Sequence, residues 1–124
     1  MKLFNEATPI YLQLRLHIEE LILSGVLKDE DAIPSLRIMA RDYNLNPITV
    51  GNAVSALVEE GILQKKRGVG IFVAPNARQL IITMRSKDFI TEKLEPTLKL
   101  AKQLELPKQM IINIIDSLYG GTHE

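Results

Sequence analysis

The chain contains no cysteine, no tryptophan, no net charge and no long apolar run. Without cysteine there is no disulfide framework and no thiolate metal site. No stretch approaches the ~18 consecutive apolar residues of a membrane helix, so no membrane span is expected. Met1 to Glu6 hold one lysine and no continuous apolar region, which argues against a secretory signal and for a cytoplasmic protein. The two histidines, His17 and His123, have no further ligand at metal spacing, so neither a metal nor another cofactor is expected. Glu19-Glu20 and Glu59-Glu60 are neighbours at helix ends rather than facing carboxylates, and no nucleophile stands beside a base. The absences point away from an enzyme.

What is present is an ordinary globular composition, 46% apolar and 24% charged, enough for one small domain with an extension. Its charge is unevenly placed. Residues 1–75 carry eight Lys/Arg and nine Asp/Glu, with the acids gathered in Asp29-Glu30-Asp31 and in helix-end pairs. Lys65-Lys66-Arg67 is the longest basic run of that half. Such a balance permits binding to nucleic acid without requiring it.

Local signals divide the first half into three helices and a hairpin. Thr8 followed by Pro9 predicts a helix start, with the threonine as cap and proline in the first turn, running to Ser24-Gly25. Leu14, Ile18, Leu21 and Ile22 recur at helical steps and form its inner face. An acidic loop, Lys28 to Asp31, leads into Ile33-Pro34, which proline holds extended. Ser35 caps a second helix to about Tyr43, with Leu36, Met39 and Ala40 facing inward. Leu45 plugs the turn, Asn46 is the next cap, and Pro47 opens a third helix to Glu60 that buries Val50, Ala53, Val54, Leu57 and Val58. Ile62 to Lys66 and Ile71 to Ala74 flank Gly68-Val69-Gly70 and read as a hairpin, the tip at Arg67-Gly68.

Pro75-Asn76 marks a boundary, dividing the chain into residues 1–75 and 76–124. Beyond it Leu80, Met84, Ile90, Leu94, Leu98, Ala101 and Leu104 keep a helical period, with a bend expected between Glu92 and Pro96. Leu106-Pro107 begins a last helix dense in apolar residues: Met110, Ile111, Ile112, Ile114, Ile115 and Leu118. Two or three helices of that length cannot bury so much surface alone. A second chain is expected to cover Leu80, Met84, Ile90, Leu94, Leu98, Ile111, Ile114, Ile115 and Leu118.

Six pieces occur in one order: Pro9-Ile10-Tyr11-Leu12-Gln13, Gly25-Val26-Leu27, the run from Ile33-Pro34-Ser35-Leu36-Arg37 to Ala40, Asn46-Pro47-Ile48-Thr49-Val50, Glu60-Gly61-Ile62, and Gly68-Val69-Gly70-Ile71-Phe72-Val73. Together they resemble the N-terminal domain of the GntR family of bacterial transcription regulators, and the short helical remainder is similar to the YtrA-type subfamily. The resemblance implies a winged helix-turn-helix followed by a small α-helical dimerisation domain. It places Ser35, Arg37, Asn46, Ile48, Thr49 and Asn52 at the DNA, with Lys65, Lys66, Arg67 and Gly68 forming the wing. At two positions the chain departs from the resemblance: Asn52 stands where many relatives carry Arg or Lys, and Glu30 replaces a turn glycine.

The reading that follows is a homodimeric repressor of a pseudo-palindromic operator on double-stranded DNA, with transporter genes as targets implied by the resemblance. No small-molecule effector is identified, and about 50 residues after the hairpin are few for a deep ligand pocket. A competing reading makes the winged helix a scaffold and the C-terminal helices the docking site for a different protein. The acidic balance of residues 1–75 favours that alternative, and the basic wing opposes it.

Overall fold

The computed structural model describes residues 8–120. The readings made on Met1 to Glu6 and on His123 lie outside the described residues. In chain order the elements are α1 (Ile10–Leu23), α2 (Leu36–Tyr43), α3 (Pro47–Glu59), β1 (Leu63–Lys66), β2 (Gly70–Val73), α4 (Ala77–Phe89), a π-helical turn (Ile90–Leu94), α5 (Glu95–Gln103) and α6 (Lys108–Leu118). One compact unit ends at Met84 and a second begins at Arg85, a division that falls within α4.

The first unit is a winged helix-turn-helix. Its core gathers Leu14, Ile18 and Ile22 of α1, Met39 and Ala40 of α2, Val50, Ala53, Val54 and Leu57 of α3, and Ile62, Leu63 and Val73 around the hairpin. Leu14, Val50, Ala53, Leu57, Ile62 and Val73 are fully shielded from solvent. Removal of this apolar surface from water is the main stabilising term. Leu21, expected inside, is only half-buried.

Caps set where the helices begin and end. The Ser35 hydroxyl accepts from the Ile38 N–H at 3.2 Å and the Asn46 side chain from the Ile48 N–H at 2.8 Å, each satisfying a first-turn donor. Thr8 does not cap α1. Pro9 is the capping residue, its carbonyl accepting from Leu12 and Gln13, while the Thr8 carbonyl takes the Gln13 side-chain amide at 2.6 Å. Asn44, at φ +57°, turns left-handed to end α2, and the Leu45 N–H returns to the Ala40 carbonyl at 2.8 Å.

The loop before α2 is more ordered than its composition suggests. The Ile33 N–H donates to the Ile71 carbonyl at 2.9 Å, and the Asp31 carbonyl accepts from Val73 at 2.8 Å. A bridge between Ala32 and Phe72 completes a one-residue third strand along β2. The edge of β2 is thereby covered. The acids of this loop have local uses: Asp31 accepts from the Lys28 N–H and Asp29 from the Asn76 N–H.

Two ion pairs meet at Arg15 of α1, one within the helix and one to the end of α3. Arg15 bridges Glu19, at 3.1 Å, and Glu60. Burial works to lower the Arg15 pKa, but the hydrogen bonds and charges of Glu60 and Glu19 outweigh it and leave the guanidinium above its ordinary value. Nearby, His17 meets Tyr43 edge-on, so it is a packing residue. Burial, followed by the charge of Asp42, raises the Tyr43 phenol above its ordinary range.

The first unit extends past the boundary drawn at residues 75 and 76. Ala77 and Ile81 are buried in its core, Leu80 packs against it, and the Arg78 side chain donates to the Leu23 carbonyl at 2.9 Å. The second unit is different in kind. From Arg85 to Gly120 no described residue is buried. Between α4 and α5 the helix widens into the π turn, where the Glu95 N–H reaches back to the Ile90 carbonyl just before Pro96, which has no N–H to give. A left-handed Glu105, at φ +59°, ends α5, and the Pro107 carbonyl opens α6 by accepting from Met110 at 3.0 Å.

Arg15→Ala removes the cation beside Glu19, whose residue is 3% exposed. Breaking a buried pair from one side costs about 3–5 kcal/mol, and the partly solvated Glu60 brings the expected loss down to roughly 2–3 kcal/mol. Urea unfolding of Arg15→Ala and Arg15→Ala/Glu19→Ala checks this: the double variant should recover part of the loss. Equal stability of Arg15→Ala and the parent would show the pair to be inert.

Candidate nucleic-acid interface

The helix-turn-helix leaves one side of α3 free because its other side is fixed in the core. Val50, Ala53, Val54 and Leu57 face inward, whereas Ile48, Asn52, Ser55 and Glu59 are exposed. These four lie at i, i+4, i+7 and i+11 and form one ridge. Ile48 is 72% exposed, although a residue of this kind usually finds cover. Thr49, in the same first turn, is half-buried. Pro47 has no N–H and the Asn46 side chain takes that of Ile48, while the Val50 N–H bonds the Asn46 carbonyl at 3.1 Å. The positive end of the helix dipole lies beside the exposed ridge, which favours an anion there, although the caps leave few first-turn N–H groups to donate.

The hairpin supplies the cations. Lys66 pairs with Gly70 across the antiparallel ladder, and the Val69 N–H closes the tip onto the Lys66 carbonyl at 2.8 Å. Gly68, at φ +76°, has a conformation that L side chains rarely adopt, and nothing crowds its Cα. Lys65, Lys66 and Arg67 are exposed. A groove of about 440 Å³ separates the wing from the start of α2, with Ser35, Leu36, Lys66, Gly68 and Phe72 in its walls. Lys65 also lines a smaller groove toward Ser55 and Glu59 of α3.

Apart from the half-buried Thr49, the residues singled out from the sequence for DNA occupy three settings. Arg37, Ile48, Asn52, Lys65, Arg67 and Gly68 are open to solvent on α2, α3 and the wing. Ser35 and Asn46 hold backbone N–H groups, so their oxygens already serve the fold. Lys66 has two local partners, the Glu30 carboxylate at 3.5 Å and the Phe72 ring at 4.6 Å from its centroid. Two features escaped the sequence reading. Val69 at the wing tip is 72% exposed and joins Ile48 as a bare apolar group, a signal present in Gly68-Val69-Gly70. Glu30, at φ +70°, is tied by its N–H to the Val73 carbonyl and so carries its carboxylate to the wing. That contact spans the chain and has no local signature.

Of the apolar residues assigned to a second chain, Leu80 packs on the core of the first unit. Met84, Ile90, Leu94, Leu98, Ile114, Ile115 and Leu118 are exposed and Ile111 half-buried.

The architecture defines a DNA-binding transcription regulator of the winged-helix class. The family model of bacterial regulatory proteins, gntR family, matches residues 10–73. The chain belongs to the GntR family, whose members named here are transcriptional regulators and not enzymes. It is 38% identical over 78 residues to the HTH-type transcriptional repressor YtrA of Bacillus subtilis (strain 168), covering 63% of this chain and 60% of that repressor. It is 34% identical over 119 residues to the HTH-type transcriptional regulator YhcF of the same organism, covering 95% of this chain and 96% of the relative. Among solved structures, a GntR family transcriptional regulator from Listeria monocytogenes superposes with a TM-score of 0.73 at 25% identity, covering 92% of this chain and 98% of that one. The AraR DNA-binding domain in complex with operator ORX1 superposes with a TM-score of 0.55 at 27% identity, over 58% of this chain and 93% of that one.

Glu30→Gln should strengthen binding to duplex DNA about two- to fivefold at low salt, because the exposed Glu30–Lys66 contact, worth up to about 1 kcal/mol, competes with phosphate. Fluorescence anisotropy across a salt series reads this, and the gain should shrink as screening grows. Unchanged affinity at low salt would mean that Lys66 does not meet phosphate.

Proposed function

We propose that the protein is a repressor that binds a pseudo-palindromic operator as a homodimer, through residues 35–73 of the first unit and through the helices of the second. The observation that carries this reading is the contrast between the units. One buries a full core and leaves a helix ridge and a basic wing bare, while the other buries no described residue and leaves most of its Ile and Leu exposed. A twofold pair of such chains covers the apolar helices and presents two α3 ridges to two half-sites. In this reading Met84, Ile90, Leu94, Leu98, Ile111, Ile114, Ile115 and Leu118 meet the partner, and Leu80 serves the fold. Residues 1–75 carry DNA recognition and 76–124 carry assembly, apart from Ala77, Arg78, Leu80 and Ile81, which complete the first unit.

On the DNA side, Arg37 at the start of α2 has no ion pair among the described residues and is the cation best able to reach a phosphate or a base edge. Ile48, Thr49 and Asn52 enter the major groove, while Lys65, Lys66, Arg67 and Gly68 approach the neighbouring backbone and minor groove. Ser35 and Asn46 act there chiefly by setting the two helix starts. The names of relatives support a repressor, and the resemblance to YtrA-type regulators supports transporter genes as targets and a cytoplasmic site of action.

Arg37→Ala should weaken operator binding by about 1–3 kcal/mol with little change in stability. Ile115→Asp/Leu118→Asp should give a folded monomer, since both side chains are exposed in the single chain, and should lose most operator affinity because the second half-site is no longer tethered. Sedimentation and a mobility-shift assay on the gene's own promoter are the measurements. A full-length chain that is monomeric at micromolar concentration would overturn the dimer. Normal promoter binding by both variants would show that the DNA-reading and partner-facing residues are assigned wrongly, and no promoter binding by the parent would move the function to the protein-docking alternative.

A further inference from the structure

The ridge of α3 has an unusual composition for a helix in the major groove: it contains no lysine or arginine. From Pro47 to Glu59 the only charged residue is Glu59. The commonest base contact, an Arg or Lys fork on guanine O6 and N7, is therefore not available from this helix. What the ridge offers instead is Ile48, 72% exposed in the first turn, and exposed Asn52 one turn later. The cations stand elsewhere, on α2 and the wing.

We infer that α3 reads A·T base pairs, with Ile48 covering the C5 methyl of a thymine and the Asn52 carboxamide pairing with N6 and N7 of an adenine. The chemistry is specific. In the major groove only thymine displays a methyl group, and only adenine displays an acceptor beside a donor in the order that a carboxamide complements. The spacing also fits. Four residues of helix rise about 6 Å, so where the helix follows the groove the two side chains lie one to two duplex steps of roughly 3.4 Å apart and address different pairs rather than one. An apolar side chain left bare at a first turn gains cover only from an apolar group on the DNA, and the thymine methyl is the one available. Phosphate attraction then falls to Arg37 and to Lys65, Lys66 and Arg67. This division of labour accounts for a DNA-binding half that is formally acidic.

The inference rests on the DNA-reading function proposed above, and one experiment separates the two. Duplexes are selected from a random pool with the full-length protein, and the selected site is remade with deoxyuridine for each half-site thymine, which removes only the methyl, or with 7-deazaadenine for each adenine, which removes only N7. For the parent protein one thymine per half-site should lose about fourfold in affinity per methyl, the worth of one buried carbon. One adenine should lose about fivefold or more, the lower end for a base-edge contact. Ile48→Ala should be insensitive to the uracil change and Asn52→Ala to the deaza change; both positions are exposed, and thermal melting checks that the variants fold. If no sequence is enriched, the DNA-reading function itself fails. If a site is enriched but tolerates both base analogues, or if Ile48→Ala and Asn52→Ala keep the parent's sensitivity, the assignment to α3 is wrong while DNA binding stands.

Discussion

The burial of one side of α3 is the constraint on which the rest of the molecule depends. Val50, Ala53, Val54 and Leu57 are nearly or fully removed from water, and each helps to hold the helix against α1, α2 and the hairpin. A helix fixed so firmly on one side has its opposite ridge presented at a set angle. Nothing in that ridge contributes to the core, so its residues are free to serve recognition. The turn before it shares this rigidity, because the Asn46 cap and Pro47 define the first turn and Leu45 anchors it from below. The Arg15 bridge to Glu60 secures the far end.

Charge is arranged around this frame rather than spread over it. The acids of the loop before α2 accept backbone N–H groups or face Lys66, so the formal excess of negative charge is partly absorbed locally. Cations remain open at Arg37, Lys65 and Arg67. Net charge alone is therefore a poor guide to this domain. Position decides, since screened charges act over roughly 8 Å at physiological salt and the wing acts largely on its own surroundings.

Features with a local cause were legible in the sequence. Ser35 and Asn46 act on N–H groups two or three residues ahead, and the helix ends at Gly25 and Gly61 follow from residue type. The core of α3 and the hairpin followed from periodicity, with strand limits displaced by one residue. Features made by distant parts of the chain were not legible. The third strand along β2, the Glu30 contact to Lys66 and the packing of Leu80 on the first core all depend on tertiary placement. The start of α1 failed for a smaller reason: Pro9 itself takes the capping position, and its carbonyl does what the Thr8 side chain was expected to do. The apolar surface of the last helix was evident from composition, but what covers it is not written in any single residue.

The central claim is that the exposed ridge of α3 and the wing tip form one surface for duplex DNA. A titration of the isotope-labelled full-length protein with its selected operator, followed through backbone amide resonances, tests it most directly. The largest shifts should fall on Ile48, Thr49 and Asn52 and on Arg67 to Val69, with Lys108 to Leu118 little changed. Shifts confined to Lys108–Leu118, with α3 and the wing unmoved, would contradict the account.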